Sequence, residues 1–192
     1  MPDHPPEEPA ARRMRPDVRR NLDALLTAAA EIFETDGVDA PVRRITARAN
    51  VGAGTLYRHF PQRADLIAAV FRREVDACAE AARAFSAQEE PVEALSRWLR
   101  HFARFLAAKR GLKTALHSGD PAYEGLPEYF QQRFVPVVAE LLDAAAASGG
   151  IRSDVAPYDV LRAVADIVAP DDDGYTQRLL TLLIDGLRYR GG

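Results

Sequence analysis

Apolar residues recur along most of this chain at intervals of three and four, the period of one face of an α-helix. Leu22, Leu25, Leu26, Ala29, Ile32 and Phe33 form the first such stripe, which predicts a helix from about Asp17 to Asp36. Gly37 follows at the place where a left-handed C-terminal cap belongs. Pro41 stands where a first helical residue would, because its missing N–H is not needed there, and a short helix to Ala49 would bury Ile45 and Ala49. Asn50-Val51-Gly52 then breaks the pattern, and asparagine is the residue after glycine that best tolerates a left-handed backbone. Another short helix is expected over Ala53–His59, with Pro61 as a breaker. From Gln62 a long helix turns Leu66, Ile67, Val70, Phe71, Val75, Cys78, Ala82 and Phe85 inward.

The rest of the chain keeps the same period. Leu95, Trp98, Leu99, Phe102, Phe105 and Leu106 make a wide apolar face on a helix from about Pro91 to Arg110, ended by Gly111. Residues 112–125 read as short and broken. Phe130, Phe134, Val138, Leu141 and Leu142 mark the next helix, in which Pro136 predicts a kink or a restart. Gly149-Gly150 stops it, and two more helices follow over Tyr158–Val168 and Tyr175–Tyr189. Nothing alternates with the period of a strand, so the expected class is all-α.

Composition narrows the setting. Of 192 residues, 47% are hydrophobic and 28% charged, the balance of a globular protein. The lone cysteine, Cys78, excludes an internal disulfide and any multi-cysteine metal site, and fits a reducing cytosol. No uncharged run reaches ten residues, so no transmembrane helix is expected, and the start of the chain has no secretory h-region. The expected location is cytoplasmic, away from membranes. Residues 1–16, with five prolines, read as a disordered arm ending in Arg12, Arg13 and Arg15. The net charge of −3 hides a split: residues 11–73 hold twelve arginines against seven acids, whereas residues 74–192 hold thirteen bases against eighteen acids. A basic head on an acidic remainder suggests a first module that faces polyanions.

Two short helices joined by a three-residue turn in that basic segment meet the demands of a helix-turn-helix. Ala53 and Gly54 keep the leading end of the second helix slim, Thr55, Tyr57, Arg58 and His59 supply donors, and Leu56 and Phe60 anchor its other face. A helix of roughly 10 Å can read only three or four base pairs of a major groove.

The run from Ile45 to Leu66, with Thr55-Leu56-Tyr57-Arg58-His59-Phe60 and a basic residue, Arg63, three positions on, resembles the N-terminal domain of the TetR family of bacterial transcriptional regulators. The resemblance covers about residues 17–75. It implies that Arg43, Ala53, Gly54 and Tyr57 approach bases, and that Arg44, Thr55, His59 and Arg63 hold phosphates. Two positions depart from the family pattern: Asn50 replaces a usual glycine, and Gly52 a common Ser or Thr N-cap. The implied organisation is an arm (1–16), a three-helix DNA-binding domain with a helix-turn-helix (17–62), and a larger helical ligand-binding and dimerisation domain (63–192).

In the second module the resemblance is mostly architectural and rests on Gly149–Val155. It implies that the last two helices pair with a second copy, through Val164, Ile167, Val168, Leu179, Leu180, Leu183 and Leu187; filling the protomer core is the alternative use of those side chains. Trp98, His101, Phe102, Phe105, His117, Tyr123, Tyr129, Phe130 and Phe134 are the candidates to line an apolar ligand cavity, with plain core again the alternative. No metal, cofactor or catalytic residue is expected: the four histidines are scattered, and His117, Ser118 and Asp120 lack an oriented base. The expected function is a homodimeric repressor released from a palindromic double-stranded operator by a small apolar effector. The rivals are an activator or ligand-independent DNA binder of the same fold, an all-α enzyme acting on an apolar small molecule, and a helical adaptor.

Overall fold

A computed structural model describes residues 16–108, 120–169 and 172–189, and among them every regular element is helical. α1 (Pro16–Asp36), α2 (Val42–Ala49) and α3 (Ala53–His59) precede the long α4 (Arg63–Gln88). α5 (Pro91–Ala108), a single 3-10 turn at Pro121–Tyr123, α6 (Leu126–Ala147), α7 (Pro157–Ile167) and α8 (Asp173–Arg188) complete the fold. Residues 1–15 of the expected arm and the expected helix end at Gly111 lie outside the described residues, while Pro16, expected in the arm, is the first residue of α1.

The helix ends follow from local chemistry. Gly37 has φ +82°, a conformation that costs glycine nothing, and its amide donates to the Phe33 carbonyl at 3.2 Å. Asn50 closes α2 with φ 52° and ψ 43°. Its N–H donates to Ala47 at 3.2 Å while that of Val51 donates to Thr46 at 3.0 Å, the paired bonds of a Schellman cap. At the start of α4 the Gln62 amide donates to the Asp65 carboxylate at 2.9 Å, one arm of a capping box.

Two expectations change. Pro41 is the extended residue before α2, φ −61° and ψ 131°, rather than its first helical residue. α6 runs unbroken through Pro136 with no restart, because Phe134 and Val138 on either side are fully buried and hold that turn in the core. Pro136 itself is exposed, and its missing N–H leaves the Gln132 carbonyl without its helical donor.

The buried apolar side chains form two clusters. Leu25, Leu26, Ala29, Ile32, Ile45, Leu56 and Phe60 make the first, and Trp98, Leu99, Phe102, Phe134, Val138, Val164 and Leu180 belong to the second. α4 contributes to both: Leu66 and Val70 enter the first, Ile67, Phe71 and Val75 the second. At about 1.5–3 kcal/mol per large apolar side chain removed from water, these faces bind α4 to each module. Arg73 adds a bond from its Nη1 to the Asp23 carbonyl at 2.8 Å, joining α4 to α1. Exposed ion pairs Arg48–Glu31, at 2.8 Å, and Arg44–Asp36 hold α2 on α1, each contributing no more than about 1 kcal/mol.

In the second module α5 and α6 pack on α4 and on each other, and α7 and α8 close the bundle against α5. The turn before α7 is tight: a Cβ on Gly150 would lie 2.1 Å from Val92 Cγ2, so a side chain there would push α5 away. The Arg152 amide donates to the Leu187 carbonyl at 2.9 Å, and its guanidinium holds the exposed Asp154 carboxyl down at about 2.

Candidate nucleic-acid interface

Sequence dictates which side of the helix-turn-helix faces out. Ile45, Leu56 and Phe60 are buried in the first core, and this fixes the roll of α2 and α3. Arg43, Arg44, Ala53, Gly54, Tyr57 and Arg58 are then exposed on these adjoining helices, and Thr55, His59 and Arg63 are half-buried. Tyr57 is 53% exposed, a large ring left in water with no ring partner among the described residues. Gly52 starts α3 in extended conformation without a side-chain cap. The His59 ring leans against Phe60 with centroids 6.4 Å apart.

The basic residues of this surface are not equivalent. Among the described residues, Arg43 and Arg58 have no ion-pair partner, so their guanidinium groups are free for a polyanion. Arg44 is held by Asp36 across the α1–α2 turn. The Arg63 guanidinium is turned back into the protein: its Nε donates to the Val38 carbonyl at 2.7 Å and its Nη2 to Ala40 at 2.6 Å. No feature of the local pattern announces that bond, because its acceptors lie 23 and 25 residues upstream.

The aromatic residues proposed for a ligand cavity divide by position. Trp98, Phe102 and Phe134 are fully buried and packed on one another, with Trp98 stacked on Phe102 at 5.2 Å and Phe102 edge-on to Phe134 at 5.0 Å. All three belong to the second core. Phe105 and Phe130 sit half-buried at the rim of the same cluster. Tyr123 is buried, and burial pushes its phenol up. Tyr129 donates its hydroxyl to Asp76 on α4 at 2.7 Å, and Arg133 reaches the same carboxylate at 2.6 Å. His101 meets Phe85 edge-on at 5.8 Å, and burial, aided by Arg104, lowers its pKa below 6.5. His117 lies outside the described residues. A cleft of about 540 Å³ does open between α4 and α6, lined by Ala79, Arg83, Gln132, Pro136 and Glu140, but by none of the nominated aromatics. Cys78 is buried, and desolvation raises its thiol to about 12, which makes it inert at neutral pH.

The residues offered for pairing also divide by position. Val164, Leu180 and Leu187 lie inside the protomer core, where they fasten α7 and α8 to the bundle. Ile167, Val168, Leu179 and Leu183 remain partly accessible. Besides Tyr57, the large exposed apolar residues among those described are Tyr158, Tyr175, Leu182 and Tyr189. Tyr175, Leu182 and Tyr189 stand seven residues apart in the sequence. Among the described residues no group of acidic, histidine or cysteine side chains is placed to hold a metal ion, and no helix is long and apolar enough to cross a membrane.

Known proteins match both modules. Residues 25–70 fit the model of bacterial regulatory proteins of the tetR family, and residues 90–189 fit the C-terminal domain of SbtR-like transcriptional regulators. A TetR transcriptional regulator from Streptomyces coelicolor is 39% identical, with a TM-score of 0.73 over 88% of this chain and 99% of its own. A TetR regulatory protein from Mycobacterium vanbaalenii is 34% identical, with a TM-score of 0.72 over 90% of this chain and 98% of its own. An HTH-type transcriptional regulator from Staphylococcus aureus is 36% identical over 64 residues, which span 33% of this chain and 35% of that relative. With a helix-turn-helix whose outer face is basic, and with both halves of the chain matched in order, this protein belongs to the TetR family of DNA-binding bacterial transcriptional regulators, a family of regulators rather than enzymes.

Proposed function

We propose that the protein is a homodimeric repressor that reads a palindromic double-stranded operator and leaves it when a small apolar molecule binds. The carrying observation is the outer face of α2 and α3, where Arg43, Arg58 and the 53% exposed Tyr57 stand free above a buried Ile45, Leu56 and Phe60. Arg43 is suited to a bidentate contact with guanine, and Ala53 and Gly54 let the backbone of α3 come close to base edges. Tyr57 and Thr55 offer hydroxyl donors to phosphate, which position without specifying. In this reading residues 17–62 are the reading head and residues 63–192 the regulatory and pairing part. Pairing is required because seven residues of α3 read too few base pairs to select a site alone.

The effector would enter at the rim of the aromatic cluster, beside the half-buried Phe105 and Phe130. It would act by preferring a conformation with mis-spaced α3 helices, a coupling typically worth about 1–3 kcal/mol. α4 is the element able to carry that coupling, because its two faces belong to the two cores. Selection from a random duplex pool at about 150 mM salt tests the reading, since nonspecific binding is much reduced there. Recovery of a two-fold symmetric site with half-sites about 34 Å apart, or a multiple of that, is expected. A folded dimer that retains no duplex would overturn it. The close packing of Trp98, Phe102 and Phe134 favours a second reading, a ligand-independent DNA binder, for which operator affinity would stay constant under every apolar ligand tried.

A further inference from the structure

We propose that Arg63 is a positioning residue of the DNA-reading head, and that its charge is spent inside the protein rather than on a phosphate. Arg63 is the first residue of α4, and its side chain crosses back to the turn that joins α1 to α2. Nε donates to the Val38 carbonyl at 2.7 Å, Nη2 donates to the Ala40 carbonyl at 2.6 Å, and Nη2 also reaches Val38. All three bonds come from two adjacent nitrogens of one rigid planar fork, which fixes the guanidinium in orientation as well as place. Phe33, at the end of α1, lies beneath it with the ring centroid 5.9 Å from Cζ. These are charge-assisted bonds to backbone oxygens that would otherwise sit in a half-buried turn.

The position of that turn matters to reading. The turn is already folded on itself, since the Ala40 amide donates to Gly37 at 3.2 Å, and Pro41 follows as the extended residue just before α2. Arg43 and Arg44 come two and three residues after Pro41, and the Arg44 amide donates to the Pro41 carbonyl at 2.9 Å. Arg63 therefore sets the distance between the start of α2 and the start of α4, the two points between which the α2–α3 pair is suspended. An arginine in contact with phosphate has to face the duplex. This one has turned its Nε edge to the protein, and only Nη1 remains uncommitted.

The inference rests on the DNA-binding reading, and its test separates the two. Arg63→Ala and Arg63→Lys are compared with wild type by amide exchange of Ala40 without DNA, and by the salt dependence of binding to the duplex recovered from the random pool. Both variants should lose Ala40 protection while the amides of Ala29, in the first core, and Val138, in the second, stay protected and so report an intact fold in both modules. Lysine keeps the charge but cannot span two carbonyls, so it should fail to rescue. Operator affinity should fall on the order of tenfold in both variants, with the slope of log K against log salt unchanged. A phosphate role predicts the opposite: normal Ala40 exchange, a near-normal lysine variant, and in the alanine variant a slope shallower by about 1.8 for two lost contacts per dimer. Either a shallower slope or normal Ala40 exchange overturns the proposal. If the wild type binds no duplex, the DNA reading fails by itself, and Ala40 exchange still decides whether Arg63 clamps the turn.

Discussion

Trp98 donates its indole N–H to the main-chain carbonyl of Cys78 at 3.0 Å and so ties α5 to α4 inside the second core. The carbonyl belongs to a helix, the donor is fully buried, and the ring stacks on Phe102 with only 7° between the planes. Trp98→Ala should cost about 3–5 kcal/mol, and Trp98→Phe about 2 kcal/mol through the lost bond and the smaller ring. Urea unfolding followed by circular dichroism measures both, because Trp98 is the single tryptophan and its fluorescence disappears with it. A Trp98→Phe variant as stable as wild type would mean that the indole faces a cavity instead.

Asn50 is the one non-glycine residue with positive φ among the described residues, and it aims α3 by ending α2. Asn50→Gly should leave stability within about 0.5 kcal/mol, since glycine adopts this conformation freely but loosens the unfolded chain. Asn50→Ala should cost about 1 kcal/mol, because a Cβ without a polar group meets the left-handed penalty uncompensated. Equal stabilities for the two variants, measured by chemical denaturation, would show that the turn relaxes.

These two positions show why the fold was largely legible and parts of the site were not. Asn50 and Gly37 announce themselves because a helix end is a local event, written in residues that tolerate one backbone conformation. The apolar stripes likewise fix which residues turn inward in α1, α3 and α4, and the free arginines 43 and 58 follow from the same roll. The last two helices are different: a stripe wide enough to serve a core and a second copy does not say which side chain serves which. Leu180 and Leu182 are two residues apart on one helix, yet one is fully buried and the other 66% exposed. The bonds of Arg63 are not legible either, because nothing in its neighbourhood reveals acceptors 23 and 25 residues away.

His101 should make the protein sensitive to mild acid. Burial, and secondarily Arg104, lowers its pKa in the folded state below the ordinary 6.5. The unfolded chain then binds the proton first, so this contribution to stability is complete above pH 6.5 and is lost as pH falls through the lowered value. Urea midpoints at about pH 7.5 and 5.5 should drop further for wild type than for His101→Phe, which keeps the ring against Phe85. An identical drop in the two proteins would assign the acid sensitivity elsewhere.

Leu182 provides the sharpest test of pairing. Tyr175, Leu182 and Tyr189 recur every seven residues along α8 and its C-cap, and all three are exposed in the isolated protomer. By two-fold symmetry a charge placed at the centre of that seam is buried twice, once from each copy, at a cost of several kcal/mol per ion when no partner charge is near. Leu182→Lys should therefore give particles of protomer mass by light scattering, with unchanged helicity because Leu182 contributes nothing to the core. Leu180→Lys, two residues away in a fully buried position, should unfold the second module instead. The separated Leu182→Lys protomers should also lose the symmetric operator, since one α3 spans only three or four base pairs. A Leu182→Lys protein that stays dimeric would place the contact on another face, and the geometry that brings two reading helices onto one palindrome would have to be rebuilt from there.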